Sequence, residues 1–455
     1  MREPDGVGSL HGGAAVVTIT PPLGTPLAGL FRERRATRIE QDLTVRALVL
    51  RNDTTTVALV VCDLIWLTGI TVAAARKLIE HGTGIRPAHV MISCTHTHTG
   101  PATSDGLVIE ADPTYLDWVA ARIAECVAAA VCRLVPVTVA SGAAEVAGVC
   151  FNRRFLMADG TVAFNPGPRN PNILHSVGPV DPVVTSVLVE DVAGNPVALS
   201  ANLSLHYVGT DDECAISSDY YGWFAANVRD WLGAGCVGLL TNGASGDINN
   251  VDVTATLSIR GTARARLVAR AVAAAAIQAT AMQRRERAPV LRGTSTRLTL
   301  HRRAISPDDI ALAEKILATP AAEAPPPAAF SFVVGQPIPG YQIRQYAIET
   351  LKVGAKPVSG TAELQIMQVG RAALVGLPGE IFVDLGLDLK RRLPAPVTAV
   401  VSLANDHIGY VPTRAAYAQG GYETWATRSS WTAPGTGEAV VDAAVTLYEA
   451  MMAPG

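Results

Sequence analysis

The chain has 455 residues, of which 49% are hydrophobic and 17% are charged. These values are typical of a globular protein with a sizeable core, and they exclude a disordered chain. The 37 basic and 40 acidic residues leave a net charge of −3, which gives no indication of a nucleic-acid groove or of electrostatic docking to an anionic membrane.

The sequence carries no targeting signal that we can identify. Residues 1–17 lack the basic region and the long apolar core of a signal peptide. No run of 18 uncharged apolar residues occurs, so we expect no integral membrane segment. The seven cysteines are scattered and form no CxxC pair, which is typical of reduced core residues. We therefore expect a cytoplasmic protein.

Hydrophobic periodicity predicts strands and helices along most of the chain. The first half is predicted to contain a strand over residues 14–18, a hairpin of residues 45–52 and 56–62, a helix over 70–81 and a buried strand over 88–92. Further helices are predicted over residues 114–135, 220–231, 260–282, 307–318, 381–392 and 438–452, and further strand pairs over 182–190 with 196–206 and over 361–369 with 372–377. Residues 158–182 are predicted as a long irregular loop. No internal repeat and no domain boundary stands out.

The segment SCTHTHTGP, residues 93–101, follows the strand predicted over residues 88–92 and ends in Gly-Pro, which stops the strand. Side chains alternate faces along an extended backbone, so His96 and His98 project from the same side. Two imidazoles at the end of a strand are a common start of a metal site. A pair of hydrogen-bonded structural histidines is the alternative that this spacing leaves open.

Predicted strands end at or near four possible metal ligands, which are His96, His206, Glu380 and Tyr410. Ligands of α/β sheets bind outside the carboxyl ends of the strands. Convergence of His, His and Glu would therefore make a three-ligand zinc site with an open position. Spacing alone does not show that convergence. The alternatives are a core histidine at His206, a residue that complements a helix N-terminus at Glu380 and a packing aromatic at Tyr410.

Several motifs occur in a definite order: THTHTGP at residues 95–101, GASGDINN at 243–250, LPGE at 377–380 and GYVPT at 409–413. In this order they resemble the neutral/alkaline (non-lysosomal) ceramidase superfamily, from about residue 15 to the C-terminus. The resemblance implies an α/β fold with a mixed β-sheet flanked by helices and long loops over a metal site. It covers only the zinc-bearing catalytic domain of that superfamily. We therefore expect residues 1–455 to form a single domain, without the C-terminal immunoglobulin-like domain of true ceramidases.

The resemblance also implies roles for individual residues. The implied zinc ligands are His96, His206, Glu380 and Tyr410. The implied catalytic or substrate-contacting residues are His98, Arg153 and Tyr422. In these roles His98 and Tyr422 would stabilise the tetrahedral oxyanion or pass a proton to the leaving group, and Arg153 would anchor a polar or anionic part of the substrate.

One motif departs from the superfamily pattern. Ceramidases carry Gly-Asp-Val-Ser-Pro-Asn, whereas this chain reads Gly-Asp-Ile-Asn-Asn at residues 246–250. Asn249 replaces the serine, and Ser245 lies four residues upstream, so a serine nucleophile is excluded at that place. The change weighs against ceramide as the substrate. Asp247 in the same motif is expected either to cap a helix or to orient a histidine ligand, and we favour the second.

The expected function is zinc-dependent hydrolysis of a linear amide in a small or amphiphilic molecule, by attack of zinc-bound water. An esterase or a lactone- or lactam-opening hydrolase is the alternative with the same chemistry. A catalytically silent metal-binding homologue is the alternative from another class. We expect a soluble small-molecule substrate, because aromatic residues make up only 5% of the chain and no membrane-docking segment is present. Mixed nitrogen and oxygen ligation tolerates several divalent metals, so zinc rests on the resemblance.

Overall fold

The structure is a computed structural model, and it describes residues 10–30, 32–105, 109–207, 209–255, 261–320, 323 and 340–453. Within these ranges the strands are β1 (His11–Thr18), β2 (Arg38–Ile39), β3 (Thr44–Arg51), β4 (Thr56–Cys62), β5 (Val90–Cys94), β6 (Val135–Glu145), β7 (Phe151–Asn152), β8 (Arg154–Met157), β9 (Val162–Phe164), β10 (Ile173–Ser176), β11 (Val183–Asp191), β12 (Pro196–Leu203), β13 (Ala215–Ile216), β14 (Val237–Asn242), β15 (Ile248–Asn249), β16 (Leu291–His301), β17 (Ser359–Val369), β18 (Ala372–Gly376), β19 (Glu380–Ile381), β20 (Val397–Val401) and β21 (Tyr410–Val411).

The α-helices of the same ranges are α1 (Gly69–Thr83), α2 (Pro113–Val131), α3 (Asp219–Leu232), α4 (Gly261–Ala281), α5 (Pro307–Ala318), α6 (Gly340–Gly354), α7 (Val383–Arg392), α8 (Arg414–Gln419) and α9 (Thr436–Met452). Short 3₁₀ helices cover Pro87–His89 and Tyr422–Thr424. No helix in the described part of the chain is both long enough and apolar enough to cross a membrane.

The larger sheet among the described strands has the order β14-β12-β11-β6-β1-β3-β4-β5. The outer pairs β12–β14 and β4–β5 are parallel, and the pairs between them are antiparallel. Its inner strands are rich in Val, Leu and Ala and are buried over most of their length, as expected of a sheet that is covered on both faces. The predicted mixed α/β fold is therefore confirmed.

Residues 402–405 join the two edges of this sheet. The Ser402 N–H donates to the carbonyl of Asn242 at the end of β14, and the Asn405 N–H donates to the carbonyl of Ile92 in β5. The side chain of Asn405 also accepts the Ile92 N–H at 3.0 Å. This segment brings the carboxyl ends of β5, β12 and β14 to one side of the molecule, where the candidate site lies.

A second sheet, in the order β16-β17-β18-β20, packs against the first. The apolar side chains between the two sheets include Leu59, Met91, Val187, Met367 and Leu374, all at most 6% exposed. Helices α2 and α4 contact the larger sheet, and α9 contacts the smaller one. The layers therefore run helix, sheet, sheet, helix. Replacement of a buried leucine between the sheets by alanine would lower the free energy of unfolding by about 2–5 kcal/mol.

Most predicted elements are present with shifted ends. The hairpin predicted over residues 45–52 and 56–62 is confirmed as β3 and β4. The helix predicted over residues 114–135 ends at Val131, because Val135 already pairs with β1 as the first residue of β6. The pairing of β6 with β1 thus determines where α2 ends, although the helical pattern of the sequence continues further.

Other predictions were wrong in detail. Residues 158–182 are not one irregular loop, since they include β9 and β10, which flank β8 in a three-stranded sheet. The helix predicted over residues 381–392 begins at Val383, because Glu380 and Ile381 pair with β21. The sequence analysis made no prediction for α6.

Candidate metal centre and its pocket

His96 follows the end of β5 in a backbone conformation that fixes its imidazole. Its φ of 68° lies in the left-handed region, which costs a non-glycine residue about 1 kcal/mol or more. Its N–H donates to the carbonyl of Leu64 at 2.9 Å, and its ring atom Nδ1 lies 2.9 Å from the carbonyl oxygen of Ile65. A carbonyl only accepts, so Nδ1 carries the hydrogen and Nε2 of the neutral ring keeps a lone pair.

Glu380 directs its carboxylate at that lone pair. Its Oε2 lies 3.3 Å from Nε2 of His96, is buried, and accepts no hydrogen bond from the described residues. Burial raises the pKa of Glu380, whereas its histidine neighbours, His96 foremost, lower it well below its usual range when they carry a proton. A lone pair and a carboxylate oxygen repel at this distance unless a proton or a metal cation lies between them. This pair of atoms therefore suits a cation.

Two glycines set the backbone around Glu380. Gly379 and Gly409 have φ values of 90° and 86°, and a Cβ on Gly379 would lie 2.4 Å from the carbonyl oxygen of Gly409. Only glycine permits this close approach. It allows Glu380 to pair with Tyr410 where β19 meets β21, so two predicted ligands from different motifs lie side by side.

His206 follows the end of β12 and is held by Arg153. Nη1 of Arg153 lies 3.0 Å from Nδ1 of His206, and a guanidinium only donates, so Nδ1 accepts. The same Nδ1 lies 3.6 Å from Oε2 of Glu380. Burial, together with the nearby His96, lowers the pKa of His206 well below its usual range. The ring is therefore neutral, and its Nε2 carries the hydrogen.

His98 completes a chain of hydrogen bonds from Arg153. Its Nε2 lies 2.9 Å from Nε2 of His206, and because the latter carries a hydrogen, the former accepts it. Burial lowers the pKa of His98 to about 3, so the ring is neutral and its hydrogen sits on Nδ1. This Nδ1 is buried without a hydrogen-bond partner in the described part of the chain. Gly29 passes so close that a Cβ there would lie 2.7 Å from the His98 ring.

Together these side chains fit a divalent metal ion. One nitrogen from each of His96, His98 and His206 lies within 4.8 Å of the others, close enough to hold an ion. Ligand atoms 2.1 Å from a tetrahedral ion are about 3.4 Å apart. The distances of 3.3 and 3.6 Å from Oε2 of Glu380 to the rings of His96 and His206 are close to that value. The predicted ligand roles of Glu380 and Tyr410 stay predictions.

Arg153 lies beneath this cluster, with a side chain that is 2% exposed. Besides contacting His206, it donates to Glu423 at 2.8 Å, to the carbonyl of Gly246 at 2.7 Å and to the hydroxyl of Tyr410 at 3.2 Å. The structure thus shows a residue that holds other groups in place. Its predicted contact with the substrate stays a prediction.

Tyr410 and Tyr422 lie together at one end of the cluster, with ring centroids 5.6 Å apart. Burial and the neighbouring Glu380 raise the pKa of Tyr410 well above its usual range, and burial raises the pKa of Tyr422. Both phenols therefore hold their protons, and a phenolate at Tyr410 would need a further cation besides the Arg153 guanidinium. Their roles as a metal ligand and as a catalytic group stay predictions.

The motif at residues 246–250 contacts Arg153 and the start of α7 beside the site. Asp247 accepts the backbone N–H of Val383 at 2.8 Å and the side-chain N–H of Asn152 at 3.0 Å. Asp247 therefore satisfies the first N–H of α7. The expectation that Asp247 orients a histidine ligand was wrong. Asn249 is buried, and its side-chain oxygen accepts the N–H of Val251 at 3.0 Å.

A cavity of about 140 Å³ opens above the cluster. Its inner lining includes the predicted residues His96, His98, Glu380, Tyr410 and Tyr422. Its remaining lining includes Trp66, His407, Glu349 and Arg428. The sequence analysis assigned none of these last four residues to the site.

His407 and Trp66 form one wall of the cavity, with rings 4.0 Å apart and 5° from parallel. Nε2 of His407 lies 3.7 Å from Oε1 of Glu380. The sequence did contain one signal that could have assigned His407 to the site. His407 lies three residues before Tyr410, in a loop that the resemblance places at the site.

Glu349 and Arg428 form a charged part of the wall. Nε and Nη2 of Arg428 lie 2.9 and 2.6 Å from the carboxylate of Glu349, whose side chain is fully buried. Glu349 belongs to α6, for which there was no prediction, and its partner lies 79 residues away. No motif in the sequence connects the two.

Two stacked sheets with a histidine and carboxylate cluster at the strand ends define an α/β protein with a candidate metal centre. The solved structure of the neutral ceramidase from Pseudomonas aeruginosa superposes with a TM-score of 0.73 at 18% identity, covering 98% of this chain and 75% of that chain. A structure of a ceramidase complexed with C2 superposes with a TM-score of 0.73 at 17% identity, covering 97% of this chain and 75% of that chain. No protein-family model and no curated protein matches the chain. The chain therefore has the neutral ceramidase fold, and the resemblance found in the sequence is confirmed at the level of the fold.

Proposed function

We propose that this protein is a zinc-dependent hydrolase that cleaves a linear amide bond in a small molecule. The observation that carries the proposal is the facing pair of Nε2 of His96 and Oε2 of Glu380, with His206 beside them, at the inner end of a cavity. The shared fold favours an amide, because the neighbours are ceramidases and the scissile bond of a ceramide is an amide.

In this proposal His96, His206, Glu380 and Tyr410 hold the zinc ion. When bound, the ion supplies a Lewis acid for the carbonyl group and lowers the pKa of its water to about 7. Arg153 keeps two of these residues in place, because it hydrogen-bonds to both His206 and Tyr410. The chain therefore holds the ligand side chains close together, and His206 would exchange its hydrogen bond with Arg153 or His98 for the ion on binding.

His98 is proposed to stabilise the carbonyl oxygen as it gains negative charge. The support is the hydrogen on Nδ1 of His98, which is buried and has no acceptor in the described part of the protein. A buried N–H without an acceptor is unfavourable, and a developing oxyanion supplies the acceptor. Tyr422, whose phenol keeps its proton because burial raises its pKa, is proposed to donate to the leaving nitrogen.

The substrate is proposed to be compact. An engineered apolar cavity of about 150 Å³ accommodates benzene, so the cavity of about 140 Å³ suits a group of that size beside the metal cluster. The ion pair of Glu349 and Arg428 in the wall would also be costly to bury against hydrocarbon. Short N-acyl amino compounds are therefore the first amides to test.

The test combines metal content with matched substrates. Protein purified without added metal should contain close to stoichiometric zinc, and both His206→Ala and Glu380→Ala should contain much less. His301→Ala, at an exposed histidine outside the site, is the control and should keep its zinc. The parent and His301→Ala should hydrolyse a short N-acyl amide, and His206→Ala and Glu380→Ala should not.

Each other outcome points to a different conclusion. Zinc with turnover of the matched ester or lactone, but not of the amide, would favour the esterase alternative. Zinc without turnover of either would favour a silent metal-binding homologue. Absence of stoichiometric metal, or metal retained in both site variants, would contradict the hydrolase proposal.

A further inference from the structure

We infer that His407 is a positioning residue, which holds the Glu380 carboxylate so that one oxygen faces the metal and the other faces the His407 ring. The inference rests on the metal site of the proposed function. It concerns a residue for which neither the motifs nor the resemblance gave a role.

The backbone around His407 is fixed on both sides. Leu403 and Asn405 have φ values of 53° and 65°, a conformation that costs non-glycine residues about 1–3 kcal/mol each and persists only where the surroundings impose it. Oδ1 of Asp406 accepts the N–H of His407 at 2.8 Å and also the N–H of Gly69 at 2.9 Å, at the start of α1. The loop is therefore tied to a helix just where the histidine leaves it.

The ring of His407 is fixed as well. It stacks on Trp66 at 4.0 Å and 5° from parallel, and the Trp66 indole is itself held by a hydrogen bond of 2.9 Å from Nε1 to the Ser104 hydroxyl. Stacking fixes the plane of the imidazole. The ring edge that carries Nε2 is thereby directed at Glu380.

The two oxygens of Glu380 then have different neighbours. Oε2 lies 3.3 Å from His96 and 3.6 Å from His206, whereas Oε1 lies 3.7 Å from Nε2 of His407. This Nε2 is buried and has no hydrogen-bond partner among the residues that the structure describes. The separation must shorten by about 0.5 Å to reach the usual hydrogen-bond range, which a small rotation of the carboxylate provides.

A hydrogen bond to Oε1 would affect metal binding without direct contact with the metal. Carboxylate ligands are themselves hydrogen-bonded in metal sites, and loss of such a partner typically weakens metal affinity by about 10–100-fold. Without His407 the carboxylate could rotate, and Oε2 would point at His96 and His206 for only part of the time.

The experiment measures zinc affinity of the full chain by competition with a chelator, for the parent and three variants. His407→Phe keeps a ring that stacks on Trp66 but removes the N–H, and it should weaken zinc binding by about 10–100-fold. His407→Gln places an amide N–H near the position of Nε2, and it should stay within about 3-fold of the parent. His407→Asn is as polar as Gln but too short to reach Glu380, and it should behave like Phe.

Two controls separate positioning from folding and from the proposed function. His301→Phe, at an exposed histidine, should leave zinc affinity unchanged, and the metal-free variants should unfold at the denaturant concentration of the metal-free parent. If His407→Phe does not fold, the difference in zinc affinity between His407→Gln and His407→Asn tests the inference by itself. Parent-like affinity in Phe and Asn, or equal losses in Gln and Asn, would overturn the inference. A parent that binds no zinc would instead overturn the proposed function.

Discussion

The inner and outer parts of the cavity are built in different ways. The inner side chains follow strand ends, as His96 follows β5, His206 follows β12 and Glu380 follows β18. The outer wall comes from a loop that carries His407 and from α6, which carries Glu349. Strand ends are fixed by the hydrogen-bond ladders of two sheets, whereas the outer wall depends on side-chain packing. The comparison teaches that the metal ligands and the charged part of the wall, Glu349 with Arg428, can change independently, whereas His407 connects the wall to the proposed ligand Glu380.

The largest effect should come from the inner carboxylate. Glu380→Gln replaces an anionic ligand by a neutral amide, and it should lower kcat/KM by on the order of 10³-fold with loss of zinc. Glu349→Gln, the same change in the outer wall, is the matched control and should keep its zinc. Zinc analysis and initial rates measure both variants, and equal zinc loss would show that the two parts are not independent.

The second largest effect should come from Arg153, which holds His206 and Tyr410 in place. Arg153→Met leaves the fully buried Glu423 without its 2.8 Å partner, and loss of one partner from a buried ion pair costs about 3–5 kcal/mol. Arg428→Met leaves Glu349 with Nζ of Lys352 at 3.9 Å and removes a side chain that is 27% exposed, so that water can reach the site and the loss should be smaller. Urea unfolding of both variants gives the comparison, and a larger loss at Arg428 would contradict it.

A pH dependence of stability should come from Asp247, which also lies beneath the site. Burial raises its pKa to about 6, above the value of about 3.9 for an unfolded chain. The folded state therefore binds the proton more tightly, so this contribution is fully present below about pH 4 and is lost as the pH rises through about 6.

For this group alone, the free energy of unfolding should fall by on the order of 2 kcal/mol across that interval. Asp247→Asn cannot titrate, so its unfolding free energy should change less with pH than that of the parent. Urea unfolding at a series of pH values measures the two slopes. Equal slopes would mean that Asp247 is already ionised at pH 4.

The smallest effect should come from the outer wall and should change substrate preference alone. The double variant Glu349→Leu with Arg428→Leu replaces a buried ion pair by apolar side chains. It should raise the ratio of kcat/KM for a butanoyl amide to that for an acetyl amide by roughly tenfold, since each of the two extra buried methylenes contributes about 0.8 kcal/mol. Zinc content should not change, and an unaltered ratio would exclude this wall from substrate binding.

The sequence predicted the inner part because its residues are attached to regular elements. The prediction that an extended backbone carries His96 and His98 on one face was wrong, because β5 ends at Cys94 and His96 has a φ of 68°. The Pro-Gly before Glu380 correctly marked the end of a strand. Such signals are local and marked individual strand ends, and the set of candidate residues came from the resemblance to the ceramidase superfamily. Local signals did not give the close approach of Gly379 to the carbonyl of Gly409, which depends on backbone conformation and tertiary contact.

The outer part could not be predicted because its contacts are not local. The stacking of Trp66 on His407 joins residues from two separate loops, and no periodicity relates them. The ion pair of Glu349 with Arg428 needs α6, for which no prediction was made. Asp247 was expected to orient a histidine, whereas its carboxylate accepts the first N–H of α7, a contact that depends on the tertiary fold.

The segment of residues 402–405 has a consequence for the order of folding. It fills the gap between β5 and β14, and its contact with Ile92 spans 313 residues of sequence. Contacts of such long range form late and slow the search for the native state. Until they form, both edge strands expose unpaired backbone groups that invite aggregation. We therefore expect the step that protects the folding chain from association to be the same step that assembles the site, so refolding yield and recovered zinc binding should rise together.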